Sequence, residues 1–332
     1  MWTPQKLSEL ATGYWGAAAL SSAVELGVFE LLADKSTTAA DLADELGASE
    51  LHLDTLLTAL VTLKLLRRDG SRYGVVESVR PYLDPHSPSC MLHALRFNTA
   101  MYPVWGSLTT CVREGRPVVP PTSHLGDDPA RTEQFVRGMH SRALGFLRPL
   151  VEALNLDGRL RLLDIGAGPG TISRELARRH DGLSVTQLDL PPVLDAARAI
   201  AAEDPADGIA YCAADYRSDA LPDGFDAVLY CGALHQEDPD SAKALCGKLF
   251  DSLSRGGICH IVDLMLDEDH AGPSMSALFS LNMLLTSLRG RVFAVDRVVE
   301  LLERAGFIGI ETSSIPSTPY RRVSGLKDIN PE

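Results

Sequence analysis

The chain has 332 residues, 45% of them hydrophobic and 23% charged, a globular composition that excludes a disordered or fibrous protein. Basic residues number 31 and acidic residues 44, and the resulting net charge of −13 argues against nucleic acid or an anionic membrane as partner. Six cysteines (90, 111, 212, 231, 246 and 259) form no C-x-x-C pair and no metal-ligand spacing, so they read as free thiols in a reducing cytoplasm, with no metal expected. The start, Met1-Trp-Thr-Pro-Gln-Lys, lacks a basic stretch leading into an apolar run, and no secretory signal is expected.

Residues 4–33 have apolar side chains at helical spacing (Leu7, Leu10, Tyr14, Ala18, Val24, Phe29, Leu32) and predict a helix. It is apolar over much of its surface, so a partner subunit is the simplest cover. Over 37–76, Thr37 or Thr38 can cap a helix that Gly47 stops, and Ser49 can cap a second running to about Lys64. The turn Asp69-Gly70 and the segment from Tyr73 then predict a winged helix. Its second helix, Ser49 to Leu63, has no Lys or Arg but has Glu50 and Asp54, the wrong charge for reading DNA. A scaffolding or dimerising role is the better reading.

Residues 91–155 read as helical around a Pro-rich loop at 117–121, with a helix from about Pro129 to Leu154. Phe97 to Val112 carries no charge, and neither does Ala271 to Leu288. The second stretch holds Gly272, Pro273, Ser274, Ser276 and Asn282, too polar for a membrane span, and predicts a buried helix. Packing accounts for most residues in these runs. Where the two helices face a common pocket, its walls would be Phe97, Met101, Trp105, Met139, His140, Phe279, Asn282 and Met283.

From Arg161 strands alternate with helices, which specifies a doubly wound, mostly parallel sheet of the Rossmann-like α/β class. The predicted layout is an N-terminal, all-helical winged-helix domain over 1–100 and a second domain over 101–332, its sheet beginning near 156. Between the first strand and its helix runs Asp164-Ile-Gly166-Ala-Gly168-Pro-Gly170-Thr171. A dinucleotide loop of the G-x-G-x-x-G type would have glycine at 171. Asp164 would repel a pyrophosphate but suits a cationic amino group. Asp189, followed by Leu190, ends the next strand, where a carboxylate can accept from a ribose diol. After the third strand, Asp215 can accept from an adenine amino group while Tyr216 stacks on the base. S-adenosylmethionine (SAM) fits these features, with NAD or a plain strand-to-helix turn as the alternatives.

The fourth strand, Asp226 to Cys231, leads to Gly232-Ala-Leu-His235, which puts a histidine just past the rim of the sheet. With an ordinary pKa of about 6.5, it can take a proton from a hydroxyl at neutral pH. Asp263, ending the next strand, could orient the imidazole.

Together, Leu163-Asp-Ile-Gly-Ala-Gly-Pro-Gly, Leu188-Asp-Leu-Pro-Pro, Ala214-Asp-Tyr, Ala233-Leu-His-Gln, Gly256-Gly and Glu303-Arg-Ala-Gly-Phe307 resemble the SAM-dependent small-molecule O-methyltransferases. These include the plant caffeate type and bacterial relatives in antibiotic and pigment pathways. The resemblance covers nearly the whole chain and implies a class I, metal-independent homodimer whose N-terminal winged-helix domain dimerises. It implies that Gly166, Asp189, Asp215, Tyr216 and Cys231 line the cofactor, which leaves as S-adenosylhomocysteine (SAH), and that His235 is the base. The substrate would be a small, hydroxylated, aromatic metabolite. The chain departs from the plant pattern in two places. His-Asp-Trp is here His235-Gln236-Glu237, and of two glutamates flanking the histidine the first falls on Asp263 and the second on Val292. A C- or N-methyltransferase and a SAM-sensing winged-helix regulator are the competing readings.

Overall fold

A computed structural model describes residues 1–119 and 128–328, so residues 120 and 121 of the Pro-rich loop lie outside the described residues. The chain divides into two compact units, Met1–Pro103 and Val104–Glu332.

In the first unit the leading helix is three: α1 (Pro4–Thr12), α2 (Tyr14–Leu26) and α3 (Val28–Leu31). Gly13 interrupts the first junction and Gly27, left-handed at φ 79°, the second. Then follow β1 (Thr37–Thr38), α4 (Ala39–Leu46), α5 (Glu50–Thr62), β2 (Leu66–Asp69), β3 (Arg72–Val75), α6 (Arg80–Leu83) and α7 (Leu92–Trp105), which runs across the boundary between the units. The domain is therefore not all-helical. β1, β3 and β2 pair side by side as a three-stranded wing, because Tyr73 and Val75 turn into the core while Arg72 faces out. Thr38 caps α4 by accepting the Asp41 N–H at 3.2 Å, as expected. Asp54 of the acidic second helix accepts the Tyr73 hydroxyl at 2.7 Å, tying helix to wing.

The second unit holds α8 (Leu108–Glu114), α9 (Pro129–Leu144), α10 (Leu147–Glu152), β4 (Arg161–Ile165), α11 (Thr171–Arg179), β5 (Ser184–Asp189), α12 (Pro191–Glu203), β6 (Ile209–Ala213) and β7 (Phe225–Cys231). These are followed by α13 (Pro239–Ser252), β8 (Leu253–Asp263), α14 (Ser274–Thr286), α15 (Val295–Ala305), β9 (Ile308–Ser314) and β10 (Arg321–Leu326). The helix predicted over 129–154 breaks at Gly145–Phe146 into α9 and α10. The strands form one sheet ordered β6-β5-β4-β7-β8-β10-β9, parallel except where β10 runs against β8 and β9.

Ala227 to Tyr230 in β7 are wholly buried, as a parallel strand covered on both faces must be. Leu163, Val228 and Tyr230 face one apolar layer with α13 and α15, and Leu162, Leu229 and Val262 face another with α10 and α11. Strand order reverses between β4 and β7, and the crevice beyond their carboxyl ends is where such sheets bind ligands. Among the described residues, no helix is long and apolar enough to cross a membrane.

Candidate active site

The loop after β4 is built on left-handed backbone. Gly166, Gly168 and Gly170 have φ of 64°, 55° and 66°, conformations that a Cβ disfavours. A Cβ on Gly166 would lie 3.6 Å from Tyr216 and from Ala233, so that glycine faces both the β6 loop and the turn after β7. A Cβ on Gly170 would come 2.3 Å from the Gln187 side-chain amide, which is wholly buried and has no hydrogen-bond partner among the described residues.

Asp189 closes the cradle. Its carboxylate accepts from the backbone N–H of Gly168 and of Leu190, each at 2.8 Å. Burial, with the nearby Asp215 charge adding to it, nevertheless pushes its pKa up to about 6. Asp164 in β4 is buried and accepts the Ser173 hydroxyl from α11, and burial plus the Asp189 charge push its pKa up to about 7. Asp215 folds its own loop, its carboxylate accepting the Arg217 N–H at 2.9 Å. Asp164 and Asp189 thus lie buried next to the glycine loop, where burial and a neighbouring acid's charge disfavour their ionised forms. A ligand bearing positive charge would relieve this, whereas a pyrophosphate would worsen it.

His235 lies in a short 3-10 turn (Leu234–Gln236) that follows β7. Its Nδ1 is 2.8 Å from one oxygen of Asp263, and its backbone N–H donates to the other at 3.0 Å. Asp263 is buried at the end of β8 and also accepts the Leu264 N–H at 2.7 Å. An ionised carboxylate only accepts, so Nδ1 carries the proton, and in the neutral imidazole the lone pair is then on Nε2. The Phe279 ring stands edge-on to the imidazole, centroids 4.8 Å apart. Gly290 lets a neighbouring segment approach, since a Cβ there would come 2.7 Å from the His235 carbonyl. Val292 is a buried apolar residue and supplies no second acid.

The other residues expected at the site are spread more widely. Cys231 ends β7, with a thiol that burial raises well above its usual range. Asn282 is half-buried on α14, and Met283 on the same helix is buried against Gly290. Met139 is half-buried on α9. His140 turns toward the glycine loop, its Nδ1 2.7 Å from the Thr171 hydroxyl, and burial with Arg174 beside it lowers its pKa to about 4. It is a neutral part of the loop's support. Phe97 and Met101 belong to the first unit, and Trp105 lies at the end of α7.

Sequence reasoning missed the side chains that fasten these loops together. Arg217 Nε donates to Glu237 at 2.8 Å, and the Tyr216 hydroxyl donates to the same oxygen at 3.1 Å. Lys248 donates to the carbonyls of residues 216, 217 and 219 at 2.8–2.9 Å. The one signal available was the unusual Glu237 after the histidine.

Comparison with known proteins fits this geometry. An O-methyltransferase domain matches residues 105–308, and an O-methyltransferase dimerisation domain matches residues 8–79. The chain belongs to the O-methyltransferase family. The 3-hydroxy-5-methyl-1-naphthoate 3-O-methyltransferase of Streptomyces sahachiroi is 34% identical, the match covering 93% of this chain and 91% of that protein. The tetracenomycin polyketide synthesis 8-O-methyl transferase TcmO of Streptomyces glaucescens is 30% identical, with 94% of each chain covered. The crystal structure of human N-acetylserotonin methyltransferase in complex with SAM superimposes with a TM-score of 0.88 at 26% identity, covering 99% of this chain and 100% of that one. This O-methyltransferase uses SAM as its methyl donor.

The two glycines of the cradle should respond differently to a methyl group. Gly168→Ala meets nothing within 4 Å and should cost about 1–2 kcal/mol, from the left-handed backbone alone. Gly170→Ala must also displace buried Gln187 and should lower the melting temperature further. Equal losses in thermal melts would show that Gln187 moves aside freely.

Proposed function

We propose that this enzyme methylates a hydroxyl of a small aromatic metabolite, with His235 as general base. What carries the reading is the bond that Nδ1 donates to Asp263, which would leave Nε2 to accept a proton from a substrate hydroxyl. The aromatic edge of Phe279 beside the ring supports a flat, apolar substrate, as do the Streptomyces relatives named for a hydroxynaphthoate and a tetracenomycin intermediate.

SAM supplies an electrophilic methyl group on a sulfonium. Gly166 and Gly168 would let it approach the backbone, Asp189 would hold the ribose diol, and Asp215 and Tyr216 would hold the adenine. Leu190 and Cys231 would add apolar walls. Asp164, bonded to Ser173 of α11, would supply negative charge near the cofactor's amino group. Nε2 would take the hydroxyl proton as oxygen attacks the methyl carbon, and Asp263 would stabilise the imidazolium formed. Positioning of the hydroxyl would supply much of the remaining acceleration.

We also propose that the enzyme works as a homodimer in the cytoplasm. Six free thiols suit a reducing compartment. α1 buries none of its residues, and Trp2, Leu10 and Trp15 are 66%, 68% and 63% exposed, more apolar surface than one chain leaves in water. A paired interface should exceed ~2,000 Å² and be hydrophobic. Sedimentation equilibrium should therefore give a dimer, and a soluble, active form lacking residues 1–30 would contradict this.

Labelled SAM and a panel of phenols and quinones identify the acceptor by product mass. On that acceptor His235→Ala should lose about 10²–10⁴ in turnover while binding SAH as tightly as before. Wild-type turnover by His235→Ala would mean that the nucleophile arrives ionised or is not an oxygen, and C- or N-methylation would take precedence.

A further inference from the structure

Glu237 is a charge in an unusual place. It lies two residues beyond His235, its backbone N–H closing the 3-10 turn on the Leu234 carbonyl at 3.0 Å, and its side chain is wholly buried. One carboxylate oxygen takes both the Arg217 and Tyr216 bonds, while the other is buried without a hydrogen-bond partner among the described residues. An acid at this depth is costly unless its environment requires it. Where the plant pattern has tryptophan, this chain carries a carboxylate and matches it with an arginine from another loop.

The partners define what that carboxylate holds. Arg217 and Tyr216 belong to the loop after β6, whose tyrosine ring faces Gly166 of the cradle. The Arg217 guanidinium also lies over the Tyr216 ring, 5.5 Å from its centroid. Lys248 pins the carbonyls of the same loop from α13, so the loop keeps its shape independently of Arg217. The Arg217–Glu237 pair is then a cross-link between two loops that are remote in sequence, one beside the cradle and one bearing the base.

We propose that Glu237 is a positioning residue which, through Arg217 and Tyr216, couples binding of the cofactor's adenosine part to the placement of the turn that carries His235. An occupied adenosine subsite fixes Tyr216, Tyr216 and Arg217 fix Glu237, and Glu237 fixes the turn two residues from the imidazole. By linkage the coupling runs both ways, so loosening the turn must also weaken the cofactor. The proposal rests on His235 as the base and on Tyr216 at the adenosine subsite, and its test reads neither methyl transfer nor the acceptor.

The probe is SAH with the full-length enzyme, read by calorimetry and by hydrogen exchange. In the wild type, SAH should slow amide exchange over 165–172 and over 234–238. In Arg217→Met and Glu237→Gln the first protection should persist and the second should be lost, with Kd weaker by about tenfold. The double variant Arg217→Met/Glu237→Leu, which leaves no buried charge unpaired, should lose the protection over 234–238 while melting at or above the Arg217→Met single variant. Variants that melt lower yet bind SAH with unchanged Kd and still protect 234–238 would make the pair merely structural and overturn the proposal. Wild-type protection over 165–172 without any over 234–238 would overturn the coupling alone. Absence of protection over 165–172 would overturn the cofactor site on which it stands.

Discussion

The proposed chemistry depends on one hydrogen bond, donated by Nδ1 of His235 to Asp263. Asp263 ends β8 and His235 follows β7, so parallel pairing of these strands delivers carboxylate and imidazole to the same rim. The buried carboxylate accepts from two backbone N–H groups as well as the imidazole, and this triple use holds its position. A displaced Asp263 would disturb the end of the strand and the start of the turn together. The imidazole thus takes its orientation from the ends of two paired strands.

The neighbouring rim works by a different balance. Asp164 and Asp189 have pKa values raised to about 7 and about 6, because burial disfavours their charges, with Asp189 adding to the effect on Asp164 and Asp215 to that on Asp189. Such an arrangement is unfavourable in the free protein and becomes favourable when a cation arrives. SAM carries an ammonium and a sulfonium, and the acid-rich cradle suits both. Glycine at three left-handed positions keeps the loop compact enough for those acids to lie beneath and beside it. His140, kept neutral by burial beside Arg174, supports the start of α11 without adding a competing charge.

The parts legible in the sequence were those determined by local pattern. Alternating strands and helices announced the sheet. Asp189 and His235 could be located because each ends, or just follows, an apolar strand. The parts that were not legible depend on contacts between distant segments. Asp164 sits where the motif placed it, yet the direction of its carboxylate is decided by Ser173 on the next helix. His140 appeared among apolar wall residues because helical spacing cannot reveal that Thr171 lies opposite. Glu237 stood out in the sequence only as a departure from the plant pattern, since its arginine comes from another loop. The leading segment read as one helix because its apolar spacing continues through Gly13 and Gly27, and only the backbone shows that both interrupt it.

The central claim is that Asp263 fixes His235 in the Nδ1-protonated tautomer, leaving Nε2 as the proton acceptor. Nitrogen-15 NMR of enzyme labelled at histidine, with His235 assigned by comparison with His235→Ala, tests this directly. At neutral pH the account predicts a protonated Nδ1 and an unprotonated Nε2 at His235, and in Asp263→Asn a mixture of the two tautomers. An Nε2-protonated His235 in the wild type, or a tautomer that Asp263→Asn leaves unchanged, would contradict it.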